Sequence, residues 1–143
     1  MELNDVMTAN PACCARDTPL QQVAQMMIDN DCGLIPVVDE QRKPLGVVTD
    51  RDIATRAVAG GMDATACIAG DCMTTPVQTV AIGSSLADCC AAMEASQVRR
   101  VPVVDAQGRI CGIVSQADVA QRASAGETGE LVREVSKPGV KTH

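Results

Sequence analysis

Phenylalanine, tryptophan and tyrosine are all absent from the 143 residues, where a chain of this length ordinarily carries on the order of ten. The core must be aliphatic, built from Val, Ile, Leu, Ala, Met and Cys. Stacking of bases on aromatic platforms and aromatic cages for cations are excluded, so a bound nucleobase would sit between aliphatic side chains and backbone. Positive charge is also scarce. With 12 Lys and Arg against 18 Asp and Glu, the net charge of −6 repels phosphate backbones and anionic membrane surfaces, which argues against nucleic acid and membrane as partners.

No segment approaches the roughly 18 uninterrupted apolar residues that a membrane span needs, and the first fifteen residues contain no basic stretch leading into an apolar run. A cytoplasmic location is expected. Eight cysteines without an export signal read as reduced thiols rather than a disulfide framework. The only histidine is His143, and no cysteine pair has zinc-knuckle spacing, so no structural metal is expected.

What is present is a duplication. Residues 5–60 align with 71–126 at an offset of 66 without a gap, with 19 identities in 56 pairs. Two copies of one supersecondary unit imply that each helps cover an apolar face the other cannot bury alone. Repeat 1 spans 1–60, a linker 61–70, repeat 2 71–126, and a polar tail 127–143 follows, with one helical turn expected around Leu131–Val135.

Each copy predicts the same elements. Leu20, Val23, Ala24 and Met27, and Leu86, Cys89, Cys90 and Met93, have the spacing of one helical face, the first helix capped by Thr18 with Pro19 at its first position. Two β-branched runs follow, Leu34–Val38 and Leu45–Val48, then Arg100–Val104 and Ile110–Val114. A second helix starts after Thr49 or Ser115 and runs to Gly60–Gly61 or Gly126. With short extended pieces at Ala12–Ala15 and Val77–Val80, the pattern is β-α-β-β-α twice, an α/β (α+β) architecture of small sheets packed by helices.

These motifs resemble the tandem CBS-domain pair, also called the Bateman module. The resemblance rests on Asp5-Val6-Met7-Thr8 and Asp71-Cys72-Met73-Thr74, on Ile35-Pro36-Val37-Val38-Asp39 and Val101-Pro102-Val103-Val104-Asp105, and on two longer strings. These are Gly46-Val47-Val48-Thr49-Asp50-Arg51-Asp52 and Gly112-Ile113-Val114-Ser115-Gln116-Ala117-Asp118. It covers roughly residues 3–125 and is similar to the stand-alone bacterial type, the hypoxic response proteins among them. It implies a cleft between repeats that binds adenosine-containing ligands (AMP, ADP, ATP, NAD or S-adenosylmethionine), a homodimer, and a downstream protein partner.

Carried onto this chain, the resemblance implies that Asp52 and Asp118 accept hydrogen bonds from ribose hydroxyls and that Thr49 and Ser115 bond phosphate oxygens. An ionised carboxylate is acceptor-only, which suits a diol, and a hydroxyl at a helix start lies beside free N–H groups. Ile35, Val101, Ala12 and Val77 would line the adenine. Arg51, Arg99 and Arg100 would face phosphates through their guanidinium forks. Thr49 with Asp52, and Ser115 with Asp118, also have the form of a helix capping box, and spacing leaves both roles open.

Cys89, Cys90 and Cys111 occupy apolar slots of the repeat and read as core; Cys14 and Cys32 match valines. Cys67 and Cys72, or Cys13 and Cys14, are candidates for a redox-sensitive cross-link. No nucleophile with a paired base, metal cluster or phosphate-cradling glycine loop suggests an enzyme. A nucleotide sensor is therefore expected, with a ligand-free dimeric adaptor and a thiol-based redox protein as the alternatives.

Overall fold

The computed structural model describes residues 2–122, which divide into two compact units. One comprises residues 11–77, and the other joins residues 2–10 to residues 78–122. The units are offset from the limits of the sequence repeats, because the opening segment of each repeat packs with the body of the other.

In the unit of residues 11–77, α2 (Leu20–Asp29) precedes a hairpin of β2 (Leu34–Val38) and β3 (Pro44–Thr49). Leu34 pairs with Thr49 and Val37 with Gly46 in antiparallel register. Single bridges extend the hairpin on both sides, Cys14 parallel to Val37 and Thr74 antiparallel to Val47. A short helix, α3 (Asp50–Asp52), continues as a π-helical stretch, Ile53–Val58, and α4 (Ala69–Cys72) follows.

The second unit repeats this plan with a fuller ladder. Its sheet runs β1 (Thr8–Ala9), β6 (Ile110–Ser115), β5 (Arg100–Val104), β4 (Val80–Ala81), with β4 parallel to β5 and the other pairs antiparallel. Helices α1 (Leu3–Val6), α5 (Leu86–Ser96) and α6 (Gln116–Arg122) complete it. Thr8 of the first repeat therefore pairs with Ile113 of the second, as Thr74 of the second pairs with Val47 of the first.

Each unit has its own aliphatic core, as the missing aromatics require. Val23, Ile35, Val37, Val48 and Cys72 anchor one; Leu3, Cys89, Met93, Val101 and Val114 anchor the other. The predicted helical faces are the buried ones, with Leu20, Val23 and Met27, and Leu86, Cys89, Cys90 and Met93, all buried. The exchange of opening segments is hydrophobic at heart. Leu3 and Val6 are buried in the core built from the second repeat, and Ala69 and Cys72 in that built from the first, each large aliphatic side chain contributing roughly 1.5–3 kcal/mol when fully buried.

Two local expectations are corrected. Thr18 does not cap α2: its Oγ1 accepts instead from the Ala15 N–H at 2.9 Å, which turns the preceding loop, and Pro19 stands at the cap position without a side-chain bond. In the second repeat Ser85 does cap α5, accepting from the Asp88 N–H at 3.0 Å. The helix after Thr49 is not uniformly α-helical and ends at Val58. The expected extension of α6 to Gly126 and the helical turn at Leu131–Val135 lie outside the described residues.

Candidate functional site

In both units a β-strand ends on a hydroxyl residue whose side chain caps the helix that follows. In the first, Thr49 Oγ1 accepts from the Asp52 N–H at 3.0 Å, while Asp52 Oδ2 accepts from the Thr49 N–H at 3.0 Å. This is a complete capping box. In the second, Ser115 Oγ accepts from the Asp118 N–H at 3.0 Å. The turn is pinned to the partner strand in each case: the Asp50 N–H donates to Gly33 O at 2.9 Å and the Gln116 N–H to Arg99 O at 2.7 Å.

Asp52 has further partners. The Thr74 hydroxyl lies 3.0 Å from Oδ1 and 3.2 Å from Oδ2, and the Arg56 Nε is 3.9 Å from Oδ1. Arg56 in turn donates to the carbonyls of Met73 at 2.9 Å and Cys72 at 3.4 Å. Thr49 and Asp52 are both buried, whereas Ser115 and Asp118 are half-buried. Motif spacing does not single out Thr74 or Arg56. Both do recur 66 residues apart, as Thr8 and Arg122, and that recurrence is the signal that could have found them.

The remaining predicted site residues fall into three groups. Ile35 and Val101 have no exposed surface and pack the two cores. Ala12 and Val77 are half-buried and keep accessible aliphatic surface. Among the cations, Arg51 is exposed, with its backbone N–H on Asp50 Oδ1 at 2.8 Å, while Arg99 and Arg100 are half-buried.

Arg99 immediately precedes β5 and Arg100 opens it, in register with Ser115. The Arg99 Nε is buried with no hydrogen-bond partner, an orphaned donor of a kind that folded proteins rarely leave. The matching positions in the other unit are Gly33 and Leu34. A Cβ at Gly33 would lie 2.8 Å from Asp50 Oδ2, so a side chain there requires the exposed Asp50 carboxylate to rotate away.

All eight cysteines are free thiols. Burial pushes the Cys14 thiol up to about 12, with adjacent Cys13 adding to the rise. Cys89 reaches about 12 through burial and then Cys90, and Cys90 reaches about 11 through burial. Burial, then Cys67, also raises Cys72, and Cys13 is raised by burial against the opposing pull of Arg42. These groups are protonated at neutral pH and behave as small apolar side chains rather than nucleophiles.

Comparison with known proteins places this geometry. The CBS domain family matches the chain twice, over residues 3–59 and 69–125. Hypoxic response protein 1 of Mycobacterium tuberculosis is 31% identical over 134 residues, covering 94% of this chain and 93% of the relative. A crystal structure of Hypoxic Response Protein I with two coordinated zinc ions superposes with a TM-score of 0.79 at 32% identity, over 86% of this chain and 99% of that one. The CBS domain pair of protein MJ0100, in complex with 5′-methylthioadenosine and S-adenosyl-L-methionine, gives a TM-score of 0.76 at 26% identity, over 85% and 98% of the two chains. Among the described residues no group of three or more His, Cys, Asp or Glu side chains is placed to hold a metal ion. No helix among them is long and apolar enough to cross a membrane. With both repeats matched and a relative aligned over nearly its whole length, the chain belongs to the CBS domain family as a tandem CBS pair that resembles the hypoxic response proteins.

Proposed function

We propose that the chain is a non-enzymatic regulatory module that binds an adenosine-containing ligand at its two hydroxyl-x-x-Asp turns. It would work as a cytoplasmic homodimer and pass ligand occupancy to a downstream protein. The observation that carries the reading is the twofold construction of one turn. Thr49 with Asp52 and Ser115 with Asp118 place a hydroxyl and a carboxylate at the mouth of a strand-to-helix junction, each held by the same backbone bond to the neighbouring strand. Binding of methylthioadenosine and S-adenosylmethionine by the similar MJ0100 pair supports the ligand class.

In this reading Asp52 and Asp118 take ribose hydroxyls, and Thr49 and Ser115 lie towards phosphate. Ala12 and Val77 offer aliphatic surface to the base, backed by Ile35 and Val101, while Arg51, Arg99 and Arg100 supply guanidinium charge to phosphates. A thermal-shift panel of AMP, ADP, ATP, NAD and S-adenosylmethionine tests it. At 100 times its dissociation constant a ligand stabilises by roughly 2.7 kcal/mol. A clear upward shift with at least one is expected, and no shift with any at millimolar concentration would turn the reading to a ligand-free adaptor.

A further inference from the structure

The Asp52 carboxylate already holds two hydrogen-bond donors of the protein itself, one of which lies across both of its oxygens. A carboxylate offers about four lone-pair sites. The Thr49 N–H takes one on Oδ2 at 3.0 Å, the Thr74 hydroxyl reaches both oxygens at 3.0 and 3.2 Å, and the Arg56 guanidinium stands 3.9 Å from Oδ1. A ribose diol brings two hydroxyl donors to such a group, and the Thr74 hydroxyl already fills the place of one of them.

Thr74 is held firmly in that place. Its N–H donates to Val47 O at 2.8 Å and its carbonyl accepts from the Val47 N–H at 3.2 Å, while Arg56 grips the preceding carbonyls of Met73 and Cys72. Close approach is possible because Gly46 has no side chain: a Cβ there would lie 2.7 Å from Thr74 O. The corresponding Thr8 of the other unit is exposed, whereas Thr74 is half-buried.

Resting on the reading that Asp52 receives a ribose, we propose that Thr74 is a built-in competitor for the nucleoside, a hydroxyl of the chain that the sugar must displace from Asp52. The Ser115/Asp118 turn then fills first, and the Thr49/Asp52 turn only at higher ligand concentration.

The test is calorimetric titration of AMP into the whole chain and into Thr74→Val, Thr74→Ser and Thr8→Val. Removing one hydrogen bond to a charged group should strengthen the weaker binding event about tenfold in Thr74→Val, with Thr74→Ser and Thr8→Val unchanged. Should the valine variant not fold, Thr74→Ala removes the same hydroxyl and carries the same expectation. AMP binding to the unaltered chain with equal or weaker affinity in Thr74→Val would overturn the competitor role and leave the proposed function standing. Absence of AMP binding in all proteins would overturn this inference, and silence across the five-ligand thermal panel would overturn the function as well.

Discussion

The Thr49/Asp52 and Ser115/Asp118 turns share the same hydroxyl cap and the same bond to a neighbouring carbonyl but differ in several of the residues around them. Beside the first stand Gly33 and the exposed Asp50; beside the second stand Arg99 and the buried Gln116. Each pair sits at the same repeat positions and is joined by the same N–H to carbonyl bond. The first turn buries its carboxylate under Thr74 and Arg56, while the second keeps Asp118 half-buried and presents an orphaned guanidinium nitrogen. Duplication has preserved the part of the motif that shapes the backbone, while the residues around it have diverged. The first turn's carboxylate is held by Thr49 and Thr74, and the second's is half-buried next to a repeat position that carries arginine.

The largest effect should come from the exchanged segments. Leu3 is fully buried in the unit built on the second repeat, so Leu3→Ala should cost about 2–5 kcal/mol in chemical denaturation. A loss under about 1 kcal/mol would break the division into two separately cored units. Next, Asp52→Ala strands the buried Thr49 N–H and the Thr74 hydroxyl and should cost about 2–3 kcal/mol. Asp118→Ala, at a half-buried position, should cost about 1 kcal/mol. Equal losses would erase the contrast between a satisfied and an open turn.

Gly46→Ala sharpens the same contrast, because its Cβ would meet the rigid Thr74 carbonyl and should cost about 1–3 kcal/mol. Gly112→Ala presses first on the Met7 sulfur, a flexible side chain that can yield, and should cost less in the same melt. The smallest effect concerns selectivity. Arg99→Gln should reduce the preference for AMP over adenosine several-fold, measured by competitive titration, and an unchanged preference would remove Arg99 from the phosphate contacts.

Much of this was legible before any coordinates. The strands Leu34–Val38 and Arg100–Val104 stand where the β-branched runs place them, and the buried helical faces are those of the apolar spacing, because both depend on local side-chain pattern. Thr18 misled because a hydroxyl before a proline can close the preceding loop as readily as cap a helix. The exchange of opening segments was not legible. Whether Leu3 packs on its own repeat or on the other is a choice between two nearly equivalent apolar surfaces, and sequence similarity makes that choice hard to read. The partners of Asp52 were hidden for the same reason, since Thr74 lies 22 residues away and reaches it only through that exchange.

The most direct test is calorimetric titration of AMP into the whole chain, into Asp52→Asn and into Asp118→Asn, substitutions that keep the side-chain shape. Two unequal binding events are predicted for the unaltered chain, the tighter lost in Asp118→Asn and the weaker lost in Asp52→Asn. Binding that survives unchanged in both variants would show that the carboxylates only cap their helices and would contradict the account.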